Sequence, residues 1–314
     1  MKTRELLKKL EKTDNILALS YINGSKQPLN LFATRIAHDT IPILYDEFEN
    51  NSKKDHLILV LRSSGGILEV PLSIVNLIRE YFKKFTVYIP EMAHSAATLI
   101  ALGADEIIMS PFSSLSPIDP QINIPSNEDQ KKGSKVNFSV EDVAGYYKLL
   151  DKLGITDEGK IKALEFLTNT LQPTLLGQIE RVRELIHIIA EKIIKVYTID
   201  ETKKQVIIKK LVEEIPSHGY WISRSEAKEL GLPIKNATDE QHKIMKELMV
   251  EYRKRLAETE GELSINIPKG KATIEKIYDR AFIETKNVTH TFKTKYIFHQ
   301  NGKVDKAINQ WIKE

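Results

Sequence analysis

The chain has 314 residues, 41% of them hydrophobic, enough to bury a substantial core and too many for a disordered protein. Lysine and arginine number 46 against 43 aspartate and glutamate, a net charge of +3, and no basic stripe with interleaved aromatics suggests a nucleic-acid partner. The absence of cysteine excludes disulfides, thiolate zinc sites and a cysteine nucleophile, so covalent catalysis would have to use oxygen or nitrogen.

In chain order, residues 3–13 read as a short charged helix, ILALSYI (16–22) as an apolar strand and 29–51 as a helix. HLILVLRSSGG (56–66) is a continuous apolar run ending in paired glycines, the pattern of a strand buried on both faces, and 67–84 is the helix that follows. The unit repeats: FTVYIPE (85–91) reads as a strand, MAHSAATLIALGA (92–104) as a helix of small residues and EIIMSP (106–111) as a third short strand. This order predicts an α/β fold with a mostly parallel sheet and functional loops at the carboxyl ends of the strands. Residues 124–137 are polar, charged and aperiodic, and read as a flexible loop.

From 139 to 214 the pattern is helical, broken near Asp157 and Pro173. A short capped helix follows at 223–232 and a charged helix at about 238–260, and 281–300 alternates like a hairpin around Lys286 and Asn287. The division expected is an N-terminal helix over 1–14, a main domain over 15–235 and a small α+β appendage over 236–314. Tyr220 and Trp221 are expected to be core aromatics beside the closing helix. The N-terminus lacks the apolar core of a leader, and no run approaches the ~18 apolar residues of a spanning helix, so a cytoplasmic location is expected.

Two motifs carry chemistry. Arg62-Ser63-Ser64-Gly65-Gly66 ends a buried strand just before a helix, where the glycines let backbone amides approach a ligand and hold an oxyanion. His94-Ser95-Ala96 follows the next strand, and a serine at that strand-to-helix step can present its hydroxyl to a cleft beside the amide of Ala96. Taken singly, each motif also fits a plain turn or an N-cap.

Together they resemble the Clp/crotonase superfamily, in particular the serine dehydrogenase proteinase group related to signal peptide peptidase A. The downstream text LIALGADEIIMSPFSSLSPIDPQI (99–122) looks like the stretch after the nucleophile in that group, with Ser116 where the family usually has glycine, and HGYWISRSEAKELGLPI (218–234) resembles its closing helix. The resemblance implies a repeated ββα spiral and a serine endopeptidase of Ser-Lys type. Its nucleophile would be Ser95, and the amides of Gly65, Gly66 and Ala96 would form the oxyanion hole.

AGYYKLLDKLGI (144–155) looks like the helix that supplies the family's lysine, which falls on Lys148; desolvation among Tyr146, Tyr147, Leu149 and Leu150 would free its amine. Lys135 is the reserve base. A Clp-type Ser-His-Asp set is disfavoured because no histidine lies between His94 and His187, and His94, adjacent to Ser95, suits lining the cleft better than taking its proton. Asp119 is expected to close a turn between two prolines.

His187, His218, His242 and His290 are too scattered for a metal set, and neither metal nor other cofactor is expected. The partners implied are a protein or peptide substrate, soluble or presented by a docked membrane partner, and further copies of the chain in a homo-oligomer. The alternatives are a crotonase-type acyl-CoA enzyme and a non-catalytic scaffold on the same fold.

Overall fold

The computed structural model describes residues 2–24, 34–125, 135–197, 199–256, 267–269 and 271–314, the side chains of 121–138 and of Thr170 excepted. The first half runs α1 (Lys2–Leu10), β1 (Ile16–Asn23), α2 (Thr40–Glu49), β2 (His56–Arg62), α3 (Val70–Tyr81), β3 (Lys84–Ile89), β4 (Met92–Ala93), α4 (Ala96–Leu102), β5 (Glu106–Met109) and β6 (Ser114–Leu115). Next come β7 (Gln121–Pro125), β8 (Lys135–Ser139), α5 (Glu141–Lys152), α6 (Asp157–Thr170), α7 (Pro173–Ile194) and α8 (Glu201–Lys209), which continues as a π-helical stretch, Lys210–Glu214. The chain closes with β9 (Ile222–Ser223), α9 (Arg224–Glu229), β10 (Ile234–Asn236), α10 (Asp239–Arg255), β11 (Thr273–Glu284), β12 (Thr289–His299) and β13 (Val304–Lys313).

The fold is mixed α/β, built on an eight-stranded sheet ordered β10-β5-β3-β2-β1-β11-β12-β13. Its first five strands are parallel, and β11, β12 and β13 add antiparallel to the β1 edge. Period-two alternation sends Leu17, Leu19, Tyr21, Leu57, Leu59, Phe85 and Val87 into the core shared with α3, α4 and α7. The intervening Ala18, Ile22, Ile58, Val60 and Tyr88 enter the opposite core, with α1 and α10. A second sheet, β4-β6-β9, crosses at the carboxyl ends of β3 and β5, so successive strands fold from the large sheet into the small one before the next helix. That step positions the candidate site.

Three expectations change. Residues 92–104 do not form one helix: β4 pairs with β6, and α4 begins only at Ala96. Residues 121–125 and 135–139 pair as an antiparallel ribbon, while 126–134 of the expected loop lie outside the described residues, as does 25–33 of the first expected helix. The C-terminal residues expected as an appendage continue the main sheet, because β11 pairs with β1 (Ser20 opposite Glu284) and α10 packs on the same core as α1.

Glu284 fastens this junction. Fully buried, it accepts hydrogen bonds from Tyr252 Oη (2.5 Å) and Thr289 Oγ1 (2.6 Å) and faces Arg255 (3.4 Å) and Arg4 (3.8 Å). Removing one member of a buried charge network leaves the others desolvated without a partner. Glu284→Ala is therefore expected to lower the unfolding free energy by about 3 kcal/mol. Urea unfolding checks this, and a single transition is expected because the terminal strands share the sheet.

Candidate active site

The glycine turn is anchored from beneath by paired charge. Arg62, at the end of β2, is buried; its Nε donates to Glu91 (2.8 Å) and its Nη1 to the Asn23 carbonyl (2.8 Å), while Arg253 also pairs with Glu91. Asn23 donates to Ser63 Oγ (3.1 Å), which also accepts from the Gly65 amide and donates to the Gly65 carbonyl (both 3.2 Å). Neighbouring chain holds both sides of the turn. Ser63 exchanges backbone bonds with Met92 and His94 (3.2 and 3.0 Å), and Ile36 takes the Gly65 carbonyl and the Ile67 amide (both 2.9 Å).

The turn admits no side chains at its glycines. A Cβ on Gly65, whose φ is +124°, would lie 3.0 Å from Ser95 Cβ, and one on Gly66 would lie 2.2 Å from the Ile36 carbonyl oxygen. Since Ile36 engages the groups on either side of it, the Gly66 amide faces away from Ile36, as the parallel ladder requires. Among the described residues neither that amide nor the amide of Ala96, first in α4, has an acceptor.

Ser95 stands opposite, with φ 52° and ψ −115°, the one non-glycine residue with positive φ among the described residues. Such a conformation costs on the order of 1–3 kcal/mol and persists only where the surroundings impose it. Here the Ser95 amide donates to Ser116 Oγ (2.8 Å), the Thr98 hydroxyl bridges the carbonyls of Ala93 (2.8 Å) and Ser116 (3.0 Å), and α4 takes the Ser95 carbonyl through Leu99 (3.2 Å). Ser116, the departure from the family's glycine, thus fixes the serine turn. The Ser95 hydroxyl keeps no hydrogen-bond partner among the described residues.

His94 turns to Ser114, with Nε2 2.8 Å from its hydroxyl, and sets its ring edge against Trp221. Burial, and secondarily the nearby His218, lower its pKa to about 4, so the ring is neutral near neutral pH. Trp221 and Tyr220 are exposed rather than in the core expected for them; Trp221 packs on Phe112 (ring centroids 5.5 Å apart) at the mouth of the site. Asp119 is buried and accepts from Ser139 Oγ, and burial raises its pKa against the opposing effects of that bond and of His218.

His218, grouped in the sequence reading with the scattered histidines, lies on an arch across this ground. One end of the arch is held by the Ile118 amide on the Leu211 carbonyl (2.8 Å), the other by the pairing of β9 with β6. Its Nδ1 is buried without a partner among the described residues, beside the groups of His94 and Asp119 that its charge perturbs. The signal available in the sequence was its place at the head of the family-like stretch 218–234.

Lys148 does not have the dry setting expected for it. It is exposed on α5, next to exposed Leu149, and forms no ion pair or hydrogen bond among the described residues. Lys135 begins β8, and its side chain lies outside the described residues. No group of side chains among the described residues could hold a metal ion, and no described helix is long and apolar enough to cross a membrane.

Residues 47–140, which contain the turn, Ser95 and Asp119, match the family of ClpP-like SDH-type serine proteinases, the relationship the sequence motifs resemble. Two uncharacterized proteins of Methanocaldococcus jannaschii are similar: MJ1495, 29% identical over 69% of this chain and 64% of its own, and MJ0137, 28% identical over 60% and 56%. The chain thus spans less than two thirds of the length of either. Among solved structures, the 1510-N membrane-bound stomatin-specific protease aligns with a TM-score of 0.40 at 16% identity over 65% of this chain and 76% of its own. ClpP1 from Listeria monocytogenes aligns with a TM-score of 0.37 at 13% identity over 76% and 98%.

Two outcomes are expected. Ser95→Gly, which removes the strained Cβ, is expected to be about 1 kcal/mol more stable than Ser95→Ala by thermal or urea unfolding, the relief outweighing the added chain entropy of glycine. Because the folded-state pKa of His94 is depressed, its contribution to stability is complete above about 6.5 and is lost as pH falls toward about 4. His94→Asn should flatten the stability profile across that window.

Proposed function

We propose that the protein is a serine endopeptidase with Ser95 as nucleophile. The observation that carries this reading is the strained Ser95 turn packed against the glycine turn, with the amides of Gly66 and Ala96 lacking an acceptor among the described residues. Ser95 Oγ attacks the peptide carbonyl carbon as its proton passes to a base, and the carbonyl electron pair moves onto oxygen, where the two amides stabilise it. The base returns the proton to the departing amine, leaving an acyl-enzyme. Water, deprotonated by the same base, then releases the acid and restores Ser95.

The family resemblance assigns the base to Lys148. That residue is exposed in the single chain, so the dry setting the role calls for would have to come from covering by another chain. The orphaned, buried Nδ1 of His218, within electrostatic reach of Asp119, favours a second reading in which His218 is the proton acceptor and Asp119 would come to orient it when substrate binds. Oligomerisation belongs to the proposal as well: Leu149, Leu153, Ile161, Leu164 and Phe166 on the α5–α6 arm are exposed, an apolar surface suited to a second copy.

Labelling with a fluorophosphonate probe, mapped by mass spectrometry, tests both levels. The expected adduct is on Ser95 and absent from Ser95→Ala. Loss of the base should slow labelling by about 100-fold or more, in His218→Gln if histidine serves and in Lys148→Ala if lysine does. A folded wild-type chain that does not label would sink the peptidase reading.

A further inference from the structure

His94, the residue before Ser95, has no part in the proposed proton transfers, yet its ring is fixed on two sides. Nε2 lies 2.8 Å from the Ser114 hydroxyl, and the ring edge meets Trp221, which Phe112 backs in turn (ring centroids 6.3 and 5.5 Å apart). The small sheet gathers these partners: Ser114 of β6 stands opposite Met92 of β4 on one side and Ser223 of β9 on the other, each two residues from His94 or Trp221. The network also places the ring proton. The Ser114 hydroxyl, with one proton to give, has a second contact at the Glu91 carbonyl (3.5 Å), which can only accept. Both contacts are satisfied only when Ser114 donates to Glu91 and accepts from Nε2–H of His94, which leaves a lone pair on Nδ1. That Nδ1 has no partner among the described residues and, unlike the Nδ1 of His218, is not sealed by burial.

We propose that Nδ1 of His94 accepts a hydrogen bond from a backbone N–H of the bound peptide beside the scissile bond, and so selects against proline at that position. The proposal rests on the peptidase reading and adds a substrate-binding residue and a restriction on the substrate. A carbonyl or carboxylate brought to Nδ1 would meet lone pair with lone pair, whereas the amide N–H is the donor that every peptide residue except proline carries. Proline would put a carbon against a fixed acceptor and leave it unpaired, the case in which a site discriminates most strongly. Trp221 and Ser114 keep the ring from turning away to water, so its orientation is set before the peptide arrives.

Labelling rates of the full chain test the contact. The probes are a peptidyl diphenyl phosphonate, the same peptide N-methylated at each backbone amide in turn, and an alkyl fluorophosphonate that has no amide. In the wild-type chain, methylation at one position should slow labelling about tenfold. In His94→Phe the ratio of peptidyl to alkyl rates should fall about tenfold, and methylation at that position should cost nothing further, since the hydrogen bond is already gone. Ser114→Ala, which frees the ring proton to move to Nδ1, should reduce the same ratio. The methylation series reads the contact in the unaltered chain, so the proposal stays open to refutation even if the variants fail to fold. No methylation-sensitive amide in the wild type, a methylation loss that persists undiminished in folded His94→Phe, or an unchanged peptidyl-to-alkyl ratio in that variant would each overturn the proposal and leave Ser95 as nucleophile. A folded wild-type chain labelled by neither class of probe would sink the peptidase reading, and the role of His94 with it.

Discussion

The constraint on which the site depends is the contact of Gly65 with Ser95. One residue must lack a side chain so that the other can be pressed into a conformation most residues avoid, and each half is held by its own network. Arg62, Glu91, Asn23 and Ser63 fix the glycine turn from below; Ser116 and Thr98 fix the serine turn from the side. Because the two turns lie on adjacent parallel strands, their register is set by the sheet itself: Ser63 bridges to Ala93 just as β2 pairs with β3. The meeting of the glycine and serine turns is therefore an outcome of sheet pairing.

Polar groups are buried where elements distant in sequence meet. Glu91 takes charge from β2 through Arg62 and from α10 through Arg253; Glu284 gathers α1, α10 and the β12 start; Glu47 of α2 meets His290 of β12 at 3.0 Å. Each carboxylate would be costly alone, and each is satisfied only when the right elements have assembled, so these groups favour one arrangement over compact alternatives.

Much of the core was legible in the sequence because local pattern dictates it. The apolar runs at 56–62 and 85–89, the glycine pair and the small-residue helix state their structure directly, and the two motifs singled out in the sequence meet where Gly65 touches Ser95. What escaped was set by long-range pairing. Nothing near residue 92 announces a two-residue strand, since β4 exists only because β6 lies beside it. Nothing in the alternation of 273–284 tells an appended hairpin from an extension of β1. Trp221 reads as core by hydrophobicity but stands exposed beside Phe112, and Lys148 sits among apolar residues in sequence that the helix turns to other faces. His218 gains its interest only from Asp119 and His94, 99 and 124 positions upstream.

The pairing of β1 with β11 also bears on how the chain is made. On a ribosome, β1, β2, β3 and β5 emerge early and can assemble the parallel sheet and the serine turn, while β1 keeps one flank of backbone donors and acceptors open. Its partner β11 is synthesised only after α10, so until then the nascent domain carries an unpaired, apolar strand edge, the type of surface on which chains join one another. Strands β11, β12 and β13 act as a seal on that edge. Chains released before β11 would hold the glycine and serine turns on a sheet whose β1 edge stays open.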